Sequence, residues 1–165
     1  MATARDYKSL PTAGGGLSLS SSTSVWDYGS YGTFTEGLST GAVLTHITIQ
    51  PHIDTGPATD QTHRLIIEIA KGDDDTLVAQ IPLAWRIDSR AAHAQPRVLT
   101  LPEPVVISAN TRIRGRVADS QADVRTHEGI KLFYYEEIFE ETPKIILVDG
   151  KYLALRITST FYIKI

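Results

Sequence analysis

The stretch that most restricts what this chain can fold into is Arg97–Asp119, RVLTLPEPVVISANTRIRGRVAD. Its last third alternates strictly. Ile113, Gly115 and Val117 fall on one side, and Arg112, Arg114 and Arg116 on the other. A period of two is the mark of a strand with one buried face. Three guanidinium groups cannot share that buried face without partners. The strand therefore has a dry side and a side that is wet or ion-paired. Two short apolar strands, set apart by Pro102 and Pro104, and a turn at Ser108–Asn110 are expected before it.

The same design recurs along the chain. In Ala42–Gln50 the alternation places Val43, Thr45, Ile47 and Ile49 on one face and His46, Thr48 and Gln50 on the other. Thr62–Ala70 turns Leu65, Ile67 and Ile69 inward, with Ile66 on a partly covered opposite face. Thr76–Asp88 has the longest run, Leu77, Ala79, Ile81, Leu83, Trp85 and Ile87. Pro82 sits on its outward side, so this is an edge strand or two strands meeting at a bend. Gly129–Glu136 sets Ile130, Leu132 and Tyr134 against Phe133 and Tyr135, which predicts cover on both sides. Asp149-Gly150, between Lys144–Val148 and Lys151–Thr158, is a strong hairpin signal. The alternation of Phe161, Ile163 and Ile165 points to a last strand held in the sheet or against a partner.

Eight to ten short strands with no helix of ten residues leave nothing to cover a parallel sheet. The expected fold class is all-β: an antiparallel two-sheet β-sandwich, jelly-roll-like, with loops 51–61, 88–96 and 119–128 crossing between sheets. Residues 1–24, rich in glycine and serine, are expected to form a flexible N-terminal arm. Residues 25–143 form the sandwich, and 144–165 an extra C-terminal hairpin and edge strand packed on the sandwich or on a partner.

Bulk properties narrow the function. The 165 residues fit one domain, and a net charge of −3 argues against a dedicated nucleic-acid binder. With no cysteine there is no disulfide, thiol nucleophile or thiolate metal site. No apolar run follows Arg5 and Lys8, so no leader is expected, and no run is long enough to span a membrane as a helix.

Candidate chemistry is sparse. His46 and His52, with Asp54 and Asp60 nearby, match no strong metal spacing. Asp73–Asp75 could offer oxygens to calcium but lacks the length of a calcium loop, so a solvated hairpin tip is expected. The carboxylates of Glu136–Glu141 form a charged rim rather than an acid–base pair. Ser18 and Ser20–Ser22 lie in too loose a tract for a nucleophile, and Gly14–Gly16 lacks the lysine of a phosphate loop. No catalytic residue, metal or cofactor is expected, and the chain is read as no enzyme. The arginine row needs anions, for which carboxylates on adjacent strands or subunits come first. Nucleic acid is disfavoured because no stacking aromatics interleave the arginines. The cluster Trp26, Tyr28, Tyr31 and Phe34 is either core packing or an interface anchor.

Four segments carry a resemblance. STSVWDYGSYGTF at 22–34, AVLTHITIQP at 42–51 and LPEPVVISANTRIRGRVAD at 101–119, together with LIIEIAKGDDDTLVAQIPL at 65–83, are similar to elements of small accessory structural proteins of tailed bacteriophages, with Arg112, Ile113 and Arg116 at recurring positions. The resemblance covers roughly 22–135. It implies a jelly-roll-like virion protein that decorates or cements a capsid, or forms a head-fibre base, made in the bacterial cytoplasm. Its partners would be itself, as a trimer or other cyclic ring, and the major capsid protein or another virion protein, with no nucleic acid and no membrane. The interface would use Trp26, Tyr28, Tyr31, Phe34, Arg112, Arg114, Arg116, Phe161 and Ile165. The alternatives are a tail or baseplate accessory, or a module binding glycans or a host surface, for which Trp85 and Tyr152 would have to face solvent.

Overall fold

The computed structural model describes residues 6–51, 61–87, 95–121, 124–136, 144–148 and 151–155. Its strands are β1 (Lys8–Leu10), β2 (Leu17–Ser20), β3 (Gly32–Thr35), β4 (Ala42–Gln50), β5 (Gln61–Lys71), β6 (Thr76–Ile87), β7 (Arg97–Ile107), β8 (Ile113–Asp119), β9 (Thr126–Glu136), β10 (Lys144–Val148) and β11 (Lys151–Leu155). One sheet runs β1-β9-β4-β7, with β2 also on β9; the other runs β3-β8-β5-β6, and β10 pairs with β11. All pairings are antiparallel.

β1 and β2 lie end to end along one edge of β9, from Lys8 opposite Tyr134 to Ser20 opposite Thr126. Counted as one interrupted strand, they leave eight strands in two four-stranded sheets, ordered 1-8-3-6 and 2-7-4-5. That interleaving is a jelly roll, so the expected fold class is what the chain adopts.

Four local expectations are corrected. The flexible arm over 1–24 is, across Lys8–Ser20, an edge strand whose Leu10 and Leu19 are buried. Pairing to β9 satisfies the backbone and two leucines repay the ordering. In β4 the extra residue Thr45 is a bulge against β9, where Leu44 and His46 face the adjacent Tyr134 and Phe133, while against β7 the extra residues, 101–104, lie on β7. A bulge reverses the alternation, so Ala42 and Leu44 face inward before it and Ile47 and Ile49 after it, while Val43 leaves that set. The two short strands expected around Pro102 and Pro104 are the single strand β7 at a sheet edge, where a missing N–H costs no ladder bond. Phe34 belongs to the core.

Between the sheets, Leu44, Ile47 and Ile49 of β4 and Ile130 and Leu132 of β9 meet Leu65, Ile67 and Ile69 of β5 and Ile113 and Val117 of β8. Each such burial contributes roughly 1.5–3 kcal/mol. Gly115 makes room for Phe34: a Cβ there would sit 2.7 Å from the Phe34 ring. β6 is one continuous edge strand with Pro82 exposed, in line with its expected edge position. Residues 52–60, 88–94, 137–143 and 156–165 lie outside the described residues. They include the loop metal candidates His52, Asp54 and Asp60, most of the EEIFEE rim, and Phe161 and Ile165.

Candidate interaction surfaces

The arginine row comes from β8 and its partners. Antiparallel register places Arg116 directly across from Glu68 of β5, and Glu68 across from Gln80 of β6. Arg116 Nε donates to Glu68 Oε2 at 2.7 Å, and Gln80 Nε2 donates to Glu68 Oε1 at 2.7 Å. Burial by itself would raise the Glu68 carboxyl. Hydrogen bonds from Gln80, Arg116 and Tyr28 outweigh it and hold the group below the usual carboxylate range. Tyr28 is pushed up to about 12, by its own burial first and by its bond to Glu68 second.

The next arginine is held by the β5–β6 turn. Asp75, in the left-handed region at φ 53, takes Arg114 in a two-pronged bond, with Nε to Oδ1 at 2.6 Å. Asp73 meets Arg112 at 3.3 Å, and Asp74 accepts from Thr76 Oγ1 at 2.8 Å. All three aspartates of the turn thus have protein partners, as a hairpin tip rather than a calcium loop requires. Tyr28 and Tyr31 lie over the Arg116 guanidinium at 4.4 and 4.6 Å, and Tyr31 over that of Arg114 at 5.0 Å. The aromatic pair and the arginines thus answer each other within one chain. The carboxylates of Glu68 on the adjacent strand and of Asp73 and Asp75 in the β5–β6 turn are the anions of the arginine row.

Of the expected aromatic anchors, Phe34 is buried while Trp26 is 44% exposed. Trp26 also has φ 64, an outlier for a bulky side chain. Its N–H donates to the Asp119 carbonyl at 2.8 Å, and Ser22 and Asp27 close the turn around it. Val25 and Val124, on adjoining segments, are also exposed. Beside them opens a depression of about 650 Å³ lined by Ser20–Ser22, Tyr28, Gly29 and Val124 among others.

His63 and His127 lie far apart in the chain, but the fold gathers them. His63 of β5 and His127 of β9 are fully buried on opposite sheets, with the Trp85 ring 5.5 Å from one and 6.0 Å from the other. Asp119 approaches His127 Nε2 at 3.2 Å and accepts from the Gln121 N–H at 2.9 Å. Only the fold brings positions 63, 85, 119 and 127 together, and no local motif announces it. Burial would raise the Asp119 carboxyl, but its bonds to His127 and Gln121 hold it low. A carboxylate with a depressed folded-state value adds stability above its ordinary range, near 3.9, and loses it as pH falls below. Asp119→Asn is therefore expected to cost about 1–3 kcal/mol at pH 7. It should also flatten the decline in melting temperature below pH 4, which a pH series of thermal melts checks. The cluster is sealed from solvent. Among the described residues no group of three His, Asp or Glu side chains is placed to hold a metal. Trp85, at 5% exposure, cannot stack a sugar.

Among the described residues, the outer strands of the two main sheets are guarded. β7 carries Pro102 and Pro104, β6 carries Pro82, Pro11 interrupts the β1/β2 edge, and β3 has four residues. Proline and shortness both block strand addition, which leaves faces and ends for contacts.

No protein-family model and no curated protein matches the chain. Among solved structures it is similar to T=1 particles derived from infectious bursal virus, at TM-score 0.39 and 16% identity, over 81% of this chain and 36% of that one. It is also similar to the infectious bursal disease virus Gx strain, at 0.38 and 15% over 79% and 32%. For the Gt strain the values are 0.32 and 14% over 82% and 38%. The chain thus spans about a third of the length of these relatives, and likenesses this distant carry no function across. The tailed-bacteriophage assignment is corrected: the solved structures reported are infectious bursal disease virus particles, not tailed-phage proteins. Docking on a phage capsid protein, the tail or baseplate alternative and synthesis in a bacterial cytoplasm are withdrawn with it.

Proposed function

We propose that this chain is a non-enzymatic structural protein that works by associating with its own kind, as the shell subunits of virus particles do. The observation that carries the reading is Trp26, held in a left-handed backbone and displayed to solvent, with Val25 and Val124 also exposed. A backbone outlier of this kind costs on the order of 1–3 kcal/mol and persists where the surroundings fix it, often at working surfaces. Large aromatic side chains dominate contact energetics when covered by a partner. The jelly roll is an architecture that capsid domains share with lectins and cupins. Here Trp85, one of the two aromatic residues expected for a carbohydrate role, is buried, and no metal group stands among the described residues. Guarded edges favour closed, face-mediated rings over strand exchange, and the self-neutralised arginines leave nucleic acid without a platform.

The test is native mass by light scattering across a concentration series, for the natural chain and for Trp26→Gly. Glycine accepts the left-handed conformation without strain, so the variant should melt within about 1 kcal/mol of the parent and yet stay monomeric where the parent assembles. A parent that remains a monomer of 18.1 kDa at every concentration, or a glycine variant that assembles equally well, overturns the reading.

A further inference from the structure

We propose that the outward face of the β1-β9-β4-β7 sheet is the docking surface for the chain's own C-terminal hairpin, β10–β11. An antiparallel sheet with one solvated face normally alternates apolar-in and polar-out. This face does not. Tyr7, His46, Thr48, Val98 and Phe133 line an apolar depression of about 350 Å³ on it. The Tyr7 ring meets His46 and Tyr135 edge-on at 6.1 and 6.0 Å. From Lys131 to Tyr135 on β9, from His46 to Thr48 on β4 and from Val98 to Thr100 on β7, the outward positions carry one fixed charge, Lys131. Val98 is 68% exposed. Val43 stands opposite Tyr135 and Val106 on the same outward side, yet is 3% exposed, so cover exists where β9 ends.

The occupant follows from composition and tether. KIILV and KYLAL are apolar at every position but their two lysines, and they pair only with each other among the described residues. An isolated two-stranded hairpin is marginal in water at best and needs a surface to lie on. The outward face of the other sheet does not fit an apolar partner: Glu68, Arg114 and Arg116 occupy it, and Tyr28 and Tyr31 already lie over the arginines. β9 ends at Glu136 and β10 starts at Lys144, so residues 137–143 join them. Seven residues reach roughly 25 Å, ample to fold back over a sheet when stacked layers lie about 10 Å apart. So short a tether gives the chain's own hairpin an effective concentration in the millimolar range, ahead of a neighbour's.

The experiment uses the full chain as an equal mixture of unlabelled and nitrogen-15-labelled copies, treated with an amine cross-linker and read by mass spectrometry. Lys131 should join Lys144 or Lys151 within single-isotope products, at least fivefold more often than Lys71 at the end of β5 does. Val98→Asp, at an exposed position, should cut the Lys131 product at least fivefold while far-ultraviolet circular dichroism stays unchanged. Mixed-isotope products, which would assign the face to a second copy, overturn the proposal. So does equal capture by Lys71, or a Lys131 yield indifferent to Val98→Asp.

Discussion

Gly29→Ala is expected to destabilise the protein by at least about 3 kcal/mol, the upper end of what overpacking costs, and Gly29→Val to leave no cooperative transition. A Cβ at this position would lie 2.9 Å from the Ser20 carbonyl carbon and closer still to its oxygen. Both are backbone atoms, so no rotamer change relieves the clash. The surroundings cannot retreat. Gly29 N–H donates to the Val117 carbonyl at 3.0 Å, and Tyr28 bridges Ala118. On the other side Ser20 is paired to Thr126 of β9, with their hydroxyls 2.7 Å apart. Gly29 is therefore where the edge of one sheet passes close over the edge of the other. Spreading them would loosen Leu19 and the closure of the sandwich together. Urea unfolding of the alanine variant checks the figure, and a cost under 1 kcal/mol would show that the two edges are not held as close as they appear.

How much of this was legible beforehand follows from which signals are local. β5, β8 and β9 beyond Gly129 follow their alternation: Leu65, Ile67 and Ile69, then Ile113 and Val117, then Ile130, Leu132 and Tyr134 are the buried sets, while the start of β9 at Thr126–Glu128, expected as loop, lies before a register shift at Gly129. β4 misled at Thr45, because a bulge inserts one residue without a sequence mark and moves Val43 to the opposite side from Ile47. The N-terminal strand was missed because its stabilisation is non-local. Five of the residues 11–20 are glycine or serine, and only pairing with β9, more than a hundred positions away, orders them. The arginine row was legible as a demand for anions. Glu68 and Asp75 emerged as its partners only once β5 lay beside β8. The buried His63–Trp85–His127 arrangement had no local signal at all, since its members stand on three strands and two sheets.

Glu68→Ala is the second large expected effect, about 2–3 kcal/mol. Glu68 is nearly buried and accepts from Gln80, Arg116 and Tyr28, so its removal strands three donors at once. Breaking a fully buried ion pair costs about 3–5 kcal/mol. The Arg116 side chain keeps 33% exposure, so water recovers part of that loss and the lower figure applies. Because the Glu68 carboxyl is held below the usual range, its contribution is present above pH ~4.3 and fades as pH falls further. The gap between parent and variant in urea midpoint should therefore narrow below pH 4. The decisive measurement is a double-mutant cycle with Arg116→Met. If Glu68 acts through Arg116, Glu68→Met with Arg116→Met should cost at least about 1.5 kcal/mol less than the two single changes together, because the pair then leaves as a unit and no charge is stranded. Simple additivity would mean that Tyr28 and Gln80, rather than the arginine, are what Glu68 holds in place.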